Sequence, residues 1–399
     1  MPLGMPVSYG ASSVVTAVGS FAQQSGTGNQ SVTSLSFTPA LVMFYVTTSN
    51  TSDGSAAGIT ISQGAATATT QYCTGAGMAD ATTDFTNYVG YYTTACICVI
   101  ESTAATLLAS AEIVSMNSNG FTIDWTTNDG VARLINYVAI GGVTNAACGV
   151  IQSPGATGNA SITSLSFTPS LVMFSGPMDT AAPGSVSAVR FGMIFSGMNS
   201  TSSGSSYTVY GSGTDVSYSL QTNVAVYTSQ AAGGVNTEAS FVSFNSNGFT
   251  LDYTMDTGSN YYFWIAIEGL SSAIGTVTQP SSTGSDSVSG LGFQPKLVFF
   301  SSLNTATNSG VQNAASLSIG AANASAQFST YMGGTYSTSP VDASSSFNRS
   351  NVITLMSPDH STPTLNAQAS LTSLNSTGFT LDWTTANATA TEVYYFALG

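Results

Sequence analysis

Few residues of this 399-residue chain could do chemistry. The single histidine, His360, stands in MSPDHST, and there is no GxSxG elbow, phosphate-binding loop or HExxH motif. Three aspartates, Asp124, Asp252 and Asp382, stand in equivalent positions between an apolar and an aromatic residue. Glycosidases need two carboxylates about 5–10 Å apart, and no second carboxylate repeats beside these. We therefore expect them to accept hydrogen bonds from a strand or turn, and we expect no catalytic residues.

Four cysteines stand in the first 148 residues and none follows: Cys73, Cys96, Cys98 and Cys148. Cys96 and Cys98 share one face of TACICVI, which we align with Val224 and Val226. Small buried thiols explain this pattern. A Cys-x-Cys zinc site is the alternative, but it needs two more ligands with suitable spacing. We expect no disulfide, no metal site and no cofactor.

Two Asp-containing loops are the best candidates for calcium. They read NDG at Asn128–Gly130 and DTG at Asp256–Gly258. Asp side chains and loop carbonyls are suitable calcium ligands. The third equivalent loop reads ANA at Ala386–Ala388, which weakens the hypothesis.

These residues belong to a unit of about 130 residues that occurs three times. NSNGFTIDW at Asn117–Trp125 returns as NSNGFTLDY at Asn245–Tyr253 and as NSTGFTLDW at Asn375–Trp383. SLSFTPALVMF and NYVAIGG recur in the same register. A period this long exceeds that of solenoids and is the size of a small domain with its own core.

The composition limits the possible partners. The chain has 4 Lys plus Arg and 18 Asp plus Glu, a net charge of −14, and only 6% charged residues, where about 25% is usual. Phosphate binding needs a basic surface, so we expect no nucleic-acid partner. The sequence has no run of about 18 apolar residues, so we expect no membrane span. Ser and Thr cost less to desolvate than Lys and Glu, so large protein–protein interfaces are easier to form.

The strand signals predict an all-β chain of three tandem homologous antiparallel β-sandwich or jelly-roll-like domains. LVMFYVT at Leu41–Thr47 is continuously apolar, as in a strand buried on both faces. Gly, Asn and Ser clusters mark turns, and no segment has helical periodicity. The predicted boundaries are an N-terminal arm at 1–13, which we expect to lie on a neighbouring molecule, and repeats at 14–142, 143–270 and 271–399.

Two sets of aromatic residues have predicted roles. Alternation places one set in the core of each repeat: Phe121, Trp125, Phe249, Tyr253, Phe379 and Trp383. The middles of the repeats, near 50–95, 178–220 and 303–348, differ most and are predicted to be long loops. Tyrosines there could contact a receptor or glycan: Tyr207, Tyr210, Tyr331 and Tyr336.

The ends of the unit, GNQSVTSLSFTPALVMF and NSNGFTIDWTTNDGVARLINYVAIGG, resemble a repeat of tailed-phage and prophage proteins taken to be virion components. The resemblance implies a non-enzymatic virion structural protein, such as a capsid decoration or head-fibre protein. Its partners would be major capsid or other virion proteins, or copies of itself. The absence of a signal-peptide pattern at the N-terminus agrees with assembly in the host cytoplasm. A tail component, a receptor- or glycan-binding adhesin, and an extracellular filament or S-layer subunit are the alternatives.

Overall fold

The computed structural model describes residues 13–47, 52–177, 184–188, 190–211, 217–229, 234–258, 260–303, 312–313, 315–335, 340–357 and 364–399. Within these residues the chain is all β, and its strands form antiparallel sheets, as predicted. A search of the same residues for helices long and apolar enough to cross a membrane finds none.

Each sequence repeat contributes eleven strands to the described part of the chain. Those of repeat one are β1 Val15–Ala22, β2 Gly28–Val32, β3 Leu41–Thr47, β4 Gly54–Ala57, β5 Ile59–Ala66, β6 Gln71–Met78, β7 Asn87–Tyr92, β8 Ile97–Ile100, β9 Leu107–Asn117, β10 Gly120–Thr127 and β11 Leu134–Gly141. Those of repeat two are β12 Asn145–Gln152, β13 Gly158–Ile162, β14 Leu171–Pro177, β15 Gly184–Ala188, β16 Arg190–Met198, β17 Ser203–Gly211, β18 Ser217–Thr222, β19 Val226–Ser229, β20 Val235–Asn245, β21 Gly248–Asp256 and β22 Tyr261–Glu268. Those of repeat three are β23 Ser272–Thr278, β24 Gly284–Val288, β25 Leu297–Ser302, β26 Gln312–Asn313, β27 Ala315–Asn323, β28 Gln327–Gly334, β29 Ala343–Asn348, β30 Ile353–Met356, β31 Leu365–Asn375, β32 Gly378–Thr385 and β33 Glu392–Leu398.

Each repeat forms a large and a small sheet. In repeat one the small sheet has the strand order β2-β10-β9-β8, and the large sheet has the order β1-β11-β3-β5-β6-β7-β15. The other two repeats have the same orders: β13-β21-β20-β19 with β12-β22-β14-β16-β17-β18-β26, and β24-β32-β31-β30 with β23-β33-β25-β27-β28-β29-β4. The chain therefore builds the same two-sheet arrangement three times.

The last strand of every large sheet comes from a different repeat. β15 of repeat two pairs with β7 of repeat one, and β26 of repeat three pairs with β18 of repeat two. β4 of repeat one pairs with β29 of repeat three, which closes the cycle. The three repeats are thus joined in a ring by exchanged strands.

Two kinds of core follow from this arrangement. Each repeat has its own core between its two sheets, while the opposite faces of the three large sheets share a further hydrophobic cluster, called here the shared core. On β3, Leu41 and Met43 belong to the shared core, and Val42 and Phe44 to the core of repeat one. The prediction that Leu41–Thr47 is a strand buried on both faces is confirmed.

The prediction of long loops in the middles of the repeats is wrong. These segments contain the strands β5–β7, β16–β18 and β27–β29 of the large sheets. Their Gly- and Ser-rich composition reflects close packing of buried strands: a side chain at Gly64 would collide with the backbone oxygen of Cys96, and one at Gly320 with that of Val352. The proposed boundaries near 142 and 270 fall between β11 and β12 and between β22 and β23, and separate domains stay a prediction.

Candidate functional site

The recurring nine-residue motif builds a tight connection in each small sheet. A side chain at Gly120 would collide with the backbone oxygen of Val32, so the position needs glycine. Asn117 Nδ2 donates to Thr122 Oγ1 at 3.0 Å, and that hydroxyl lies 2.8 Å from the Ser31 hydroxyl. The same bonds recur as Asn245–Thr250 at 2.9 Å with Ser161, and as Asn375–Thr380 at 3.0 Å with Ser287. The motif's Asn and Thr side chains bond within the sheet, which explains the repetition of these residues by folding alone.

The six aromatic residues assigned to the core are all fully buried: Phe121, Trp125, Phe249, Tyr253, Phe379 and Trp383. Phe121 packs edge-on against Phe44 and Tyr137, with ring centroids 5.5 and 5.4 Å apart. The indole Nε1 of Trp125 donates to Gln30 Oε1 at 2.7 Å. In repeat three the Nε1 of Trp383 has no hydrogen-bond partner among the described residues.

Three of the tyrosines proposed as loop contacts are instead buried on strands. Tyr207 and Tyr210 lie on β17 and Tyr331 on β28, each no more than 1% exposed. Tyr207 and Tyr331 donate their hydroxyls to the backbone oxygens of Ser229 and Met356, which ties the large sheet to the small one. Tyr336 and His360 lie outside the described residues. The expectation of an exposed aromatic surface at Tyr207, Tyr210 and Tyr331 was therefore wrong, because these rings fill cores.

The three repeated aspartates are not brought together. Asp124, Asp252 and Asp382 are half-buried on three different small sheets. The register places Asp124 opposite Asn29 and Glu112, but no hydrogen bond joins any of the three carboxylates to another described residue. The expected strand or turn donors are thus not found in the described part of the chain.

The two candidate calcium loops use their carboxylates internally. Asp129 forms a bidentate pair with Arg133, both N–O distances being 2.6 Å, and the hydrogen bond from Arg133 lowers the pKa of Asp129. Asp256 accepts hydrogen bonds from Ser153 at 3.0 Å and from the backbone of Gly155 at 2.7 Å. Among the described residues no group of three or more His, Cys, Asp or Glu could hold a metal.

All four cysteines are buried and in the thiol form. Cys73 and Cys98 pack with Ala95, and burial raises the pKa of the Cys73 and Cys96 thiols well above 9.0. The alignment of Cys96 and Cys98 with Val224 and Val226 was wrong by one residue. Ile97 faces Ala111 as Val226 faces Ala239, so the two cysteines correspond to Ala225 and Tyr227.

The junctions between repeats are the most extensive contacts that sequence reasoning missed. At the junction of repeats one and two, Asn87 Nδ2 donates to the Tyr210 backbone oxygen at 3.0 Å, and Tyr72 stacks on Phe263 with centroids 4.6 Å apart. The Tyr72 hydroxyl lies 3.2 Å from that of Ser175. These contacts join residues more than a hundred positions apart, and neither a motif nor a spacing in the sequence signals them.

The other two junctions are built similarly. Between repeats two and three, the hydroxyls of Ser206 and Ser301 lie 2.9 Å apart. Between repeats three and one, the backbone N–H of Ala343 donates to Asp80 Oδ1 at 2.7 Å, and Arg349 pairs with Asp53 at 2.8 Å. The described junction contacts thus combine backbone pairing, aromatic packing, hydrogen bonds of hydroxyls and side-chain amides, and few charges.

No protein-family model matches this sequence, and a search of curated proteins finds no significant match.

Proposed function

We propose that this chain is a non-enzymatic structural protein of a bacteriophage virion, most specifically a capsid decoration or head-fibre protein. The observation that carries the proposal is the cyclic exchange of β15, β26 and β4, which joins three homologous repeats in a ring. One chain thereby has the connectivity of a homotrimer, and closed rings of like units are the usual form of protein assemblies. A molecule with this pseudo-threefold connectivity could bind at a position of local threefold symmetry on a capsid.

The surface chemistry supports the same role. With 6% charged residues, attachment would rely on burying Ser, Thr, Ala and Val surface rather than on ion pairs. Salt screens exposed charges over about 8 Å at physiological ionic strength and would have little effect on such contacts. The proposed partners are a major capsid protein, another virion protein or further copies of this chain, with assembly in the host cytoplasm.

The resemblance of the repeat to virion components of tailed phages supports assigning the chain to a phage particle.

The alternatives differ in what they would bind. An adhesin needs exposed groups for a receptor or glycan, and the tyrosines Tyr207, Tyr210 and Tyr331, which could have supplied them, are buried. No described contact favours a tail component or an S-layer subunit over a head protein.

The experiment is to isolate particles produced by the cell that encodes the chain and to measure its copy number by quantitative mass spectrometry. Cryo-electron microscopy of the same particles would then locate it. We expect one ring-shaped density at threefold or quasi-threefold positions of the head. Location in the tail or on the cell surface, absence from the particles, or hydrolysis of a glycan by the purified protein would contradict the proposal.

A binding assay tests the mode of attachment. Purified protein is added to particles that lack it in dilute buffer and in 1 M NaCl. We expect the same amount bound in both. Salt also screens the exposed ion pair of Asp53 and Arg349, which joins two repeats of one chain. The variant Asp53→Asn lacks this pair and is therefore the control for an effect of salt within the chain. Release of the protein by salt would show that charge dominates the contact.

A further inference from the structure

One row of side chains across the large sheet of repeat one is polar, although it faces the shared core. Asn136 on β11 lies opposite Tyr45 on β3, Tyr45 opposite Gln63 on β5, and Gln63 opposite Thr74 on β6. Side chains two positions away on the same strands belong to the shared core: Met43, Ile61, Ala65, Tyr72, Ala76 and Val138. Since side chains alternate between the faces of a sheet, these four residues face the shared core as well. They are called the polar row below.

The corresponding rows of the other repeats are less polar. They read Phe263, Ser175, Phe195 and Ser206 in repeat two, and Tyr394, Ser301, Ile319 and Thr330 in repeat three. The two amides, Asn136 and Gln63, therefore occupy positions that hold aromatic or aliphatic side chains in the other repeats. Their presence is a property of repeat one and not of the fold.

The polar row leaves five buried side-chain atoms without a hydrogen-bond partner among the described residues. They are Nδ2 and Oδ1 of Asn136, Nε2 and Oε1 of Gln63, and Oγ1 of Thr74. These three residues are between 0 and 2% exposed. In contrast, Ser206, which corresponds to Thr74, lies 2.9 Å from Ser301 of the next repeat.

The row lies where the repeats meet. Tyr45 packs against Phe328 of repeat three, with ring centroids 5.4 Å apart. Thr74 lies close to Gly176 of repeat two, since a Cβ added at that glycine would lie 3.7 Å from the threonine methyl group. The hydroxyl of Ser175, the residue of repeat two that corresponds to Tyr45, lies 3.2 Å from that of Tyr72. These contacts use other groups, and the amides of Asn136 and Gln63 have no partner among the described residues.

Buried amides and hydroxyls in native proteins are hydrogen-bonded in the large majority of cases, to protein or to ordered water. Asn136 and Gln63 each offer both donors and acceptors. The charged residues that are buried in the described part of the chain, Arg133 and Asp256, bond to Asp129 and to Ser153. A neutral ligand that donates and accepts fits such a site, and a buried water typically makes about three hydrogen bonds. We propose that the polar row binds ordered water molecules inside the shared core, bridging Gln63, Asn136 and Thr74.

The test is a crystal structure at a resolution that shows ordered water, with crystals also soaked in rubidium chloride. We expect density within about 2.7–3.2 Å of the amide atoms and of Thr74 Oγ1, the hydrogen-bonding range, and no anomalous rubidium peak there. Amides that bond directly to protein groups without density between them would overturn the proposal. A rubidium peak would also overturn it, because the site would then bind a monovalent cation.

A variant pair checks the assignment to these side chains. Gln63→Met keeps the length of the side chain but removes its polar atoms, and it should abolish the water density next to residue 63. Gln71→Met is the matched control, because both ends of the Gln71 amide are already bonded, to Thr94 and Ile113 at 2.7 Å each. It should leave the density in the polar row unchanged. Should Gln63→Met not fold, water oxygen-17 relaxation dispersion of the unmodified protein still decides: no long-lived internal water means no site.

Discussion

The side-chain amide of Asn87 in repeat one donates a hydrogen bond of 3.0 Å to the backbone oxygen of Tyr210 in repeat two. Both residues are fully buried, and Phe85 packs edge-on against the Tyr210 ring with centroids 5.4 Å apart. The contact lies beside the strand exchange, since Asn87 also pairs with Ala188 of β15. One polar side chain therefore helps to hold two repeats together in a buried junction.

Replacing this amide should weaken the whole molecule. Asn87→Ala leaves the Tyr210 oxygen without its donor in a buried place, and we expect the free energy of unfolding to fall by about 1–3 kcal/mol. Urea unfolding followed by circular dichroism measures this. Asn29→Ala, at an exposed position of β2, should change it by less than about 0.5 kcal/mol. An equal effect of both variants would mean that this hydrogen bond contributes nothing measurable to stability.

The exchanged strands and the shared core predict that the three repeats unfold together. Each repeat has one tryptophan: Trp125, Trp264 and Trp383. Chains with a single tryptophan can be made with tyrosine at positions 125 and 383, as repeat two has at Tyr253, and with phenylalanine at position 264. Within each of these chains we expect tryptophan fluorescence, which reports on one repeat, and circular dichroism, which reports on all three, to give the same urea midpoint. Fluorescence and circular dichroism transitions that do not coincide would instead indicate domains that fold independently within boundaries near 142 and 270.

Much of the fold could be predicted from the sequence because it depends on local signals. Alternation in GFTIDWTT placed Phe121 and Trp125 inside, and the unbroken apolar run at Leu41–Thr47 indicated a strand covered on both faces. The strand exchange could not be predicted. β4, β15 and β26 lie in the segments that differ most between repeats, and their partners are set by the packing of the whole ring. The same divergence made Tyr207, Tyr210 and Tyr331 look like loop residues.

A missing hydrogen bond in repeat three can be supplied by one substitution. Gln30 accepts from the Trp125 indole at 2.7 Å, and the register places Asp286 at the corresponding position beside Trp383, whose Nε1 has no partner among the described residues. Asp286→Gln should let a longer amide reach that N–H and raise the free energy of unfolding by about 1 kcal/mol. Asp286→Asn, which is one methylene shorter, serves as the control. Equal stability of the two variants would show that no new bond forms.

Removing Asp129 should lower the free energy of unfolding more than removing its partner Arg133. Arg133 has 2% of its side chain exposed and Asp129 24%. Asp129→Ala leaves a buried guanidinium without its carboxylate and should cost about 3–5 kcal/mol, whereas Arg133→Met, which removes the buried charge, should cost less. Because the pKa of Asp129 is lowered, its contribution should be present above pH 3.8 and be lost as the pH falls further. Equal losses of unfolding free energy in the two variants would show that Asp129→Ala does not leave the Arg133 guanidinium buried and unpaired.

The buried thiols should make the protein sensitive to alkali but not to reduction. Cys148 is 4% exposed, and burial raises its pKa from 9.0 to about 12, so folding favours the neutral thiol. A raised pKa of this kind contributes stability that is fully present below about pH 9 and is lost as the pH rises toward 12. Val18 stands at the equivalent position of repeat one, so Cys148→Val should fold and lose less stability between these pH values.

Thermal unfolding at pH 7.5 with and without dithiothreitol should give the same midpoint, because all four cysteines are thiols. A midpoint lowered by several degrees on reduction, or rapid reaction of the native protein with a thiol reagent at pH 8, would contradict this interpretation, since the thiolate is the reactive form and burial suppresses it.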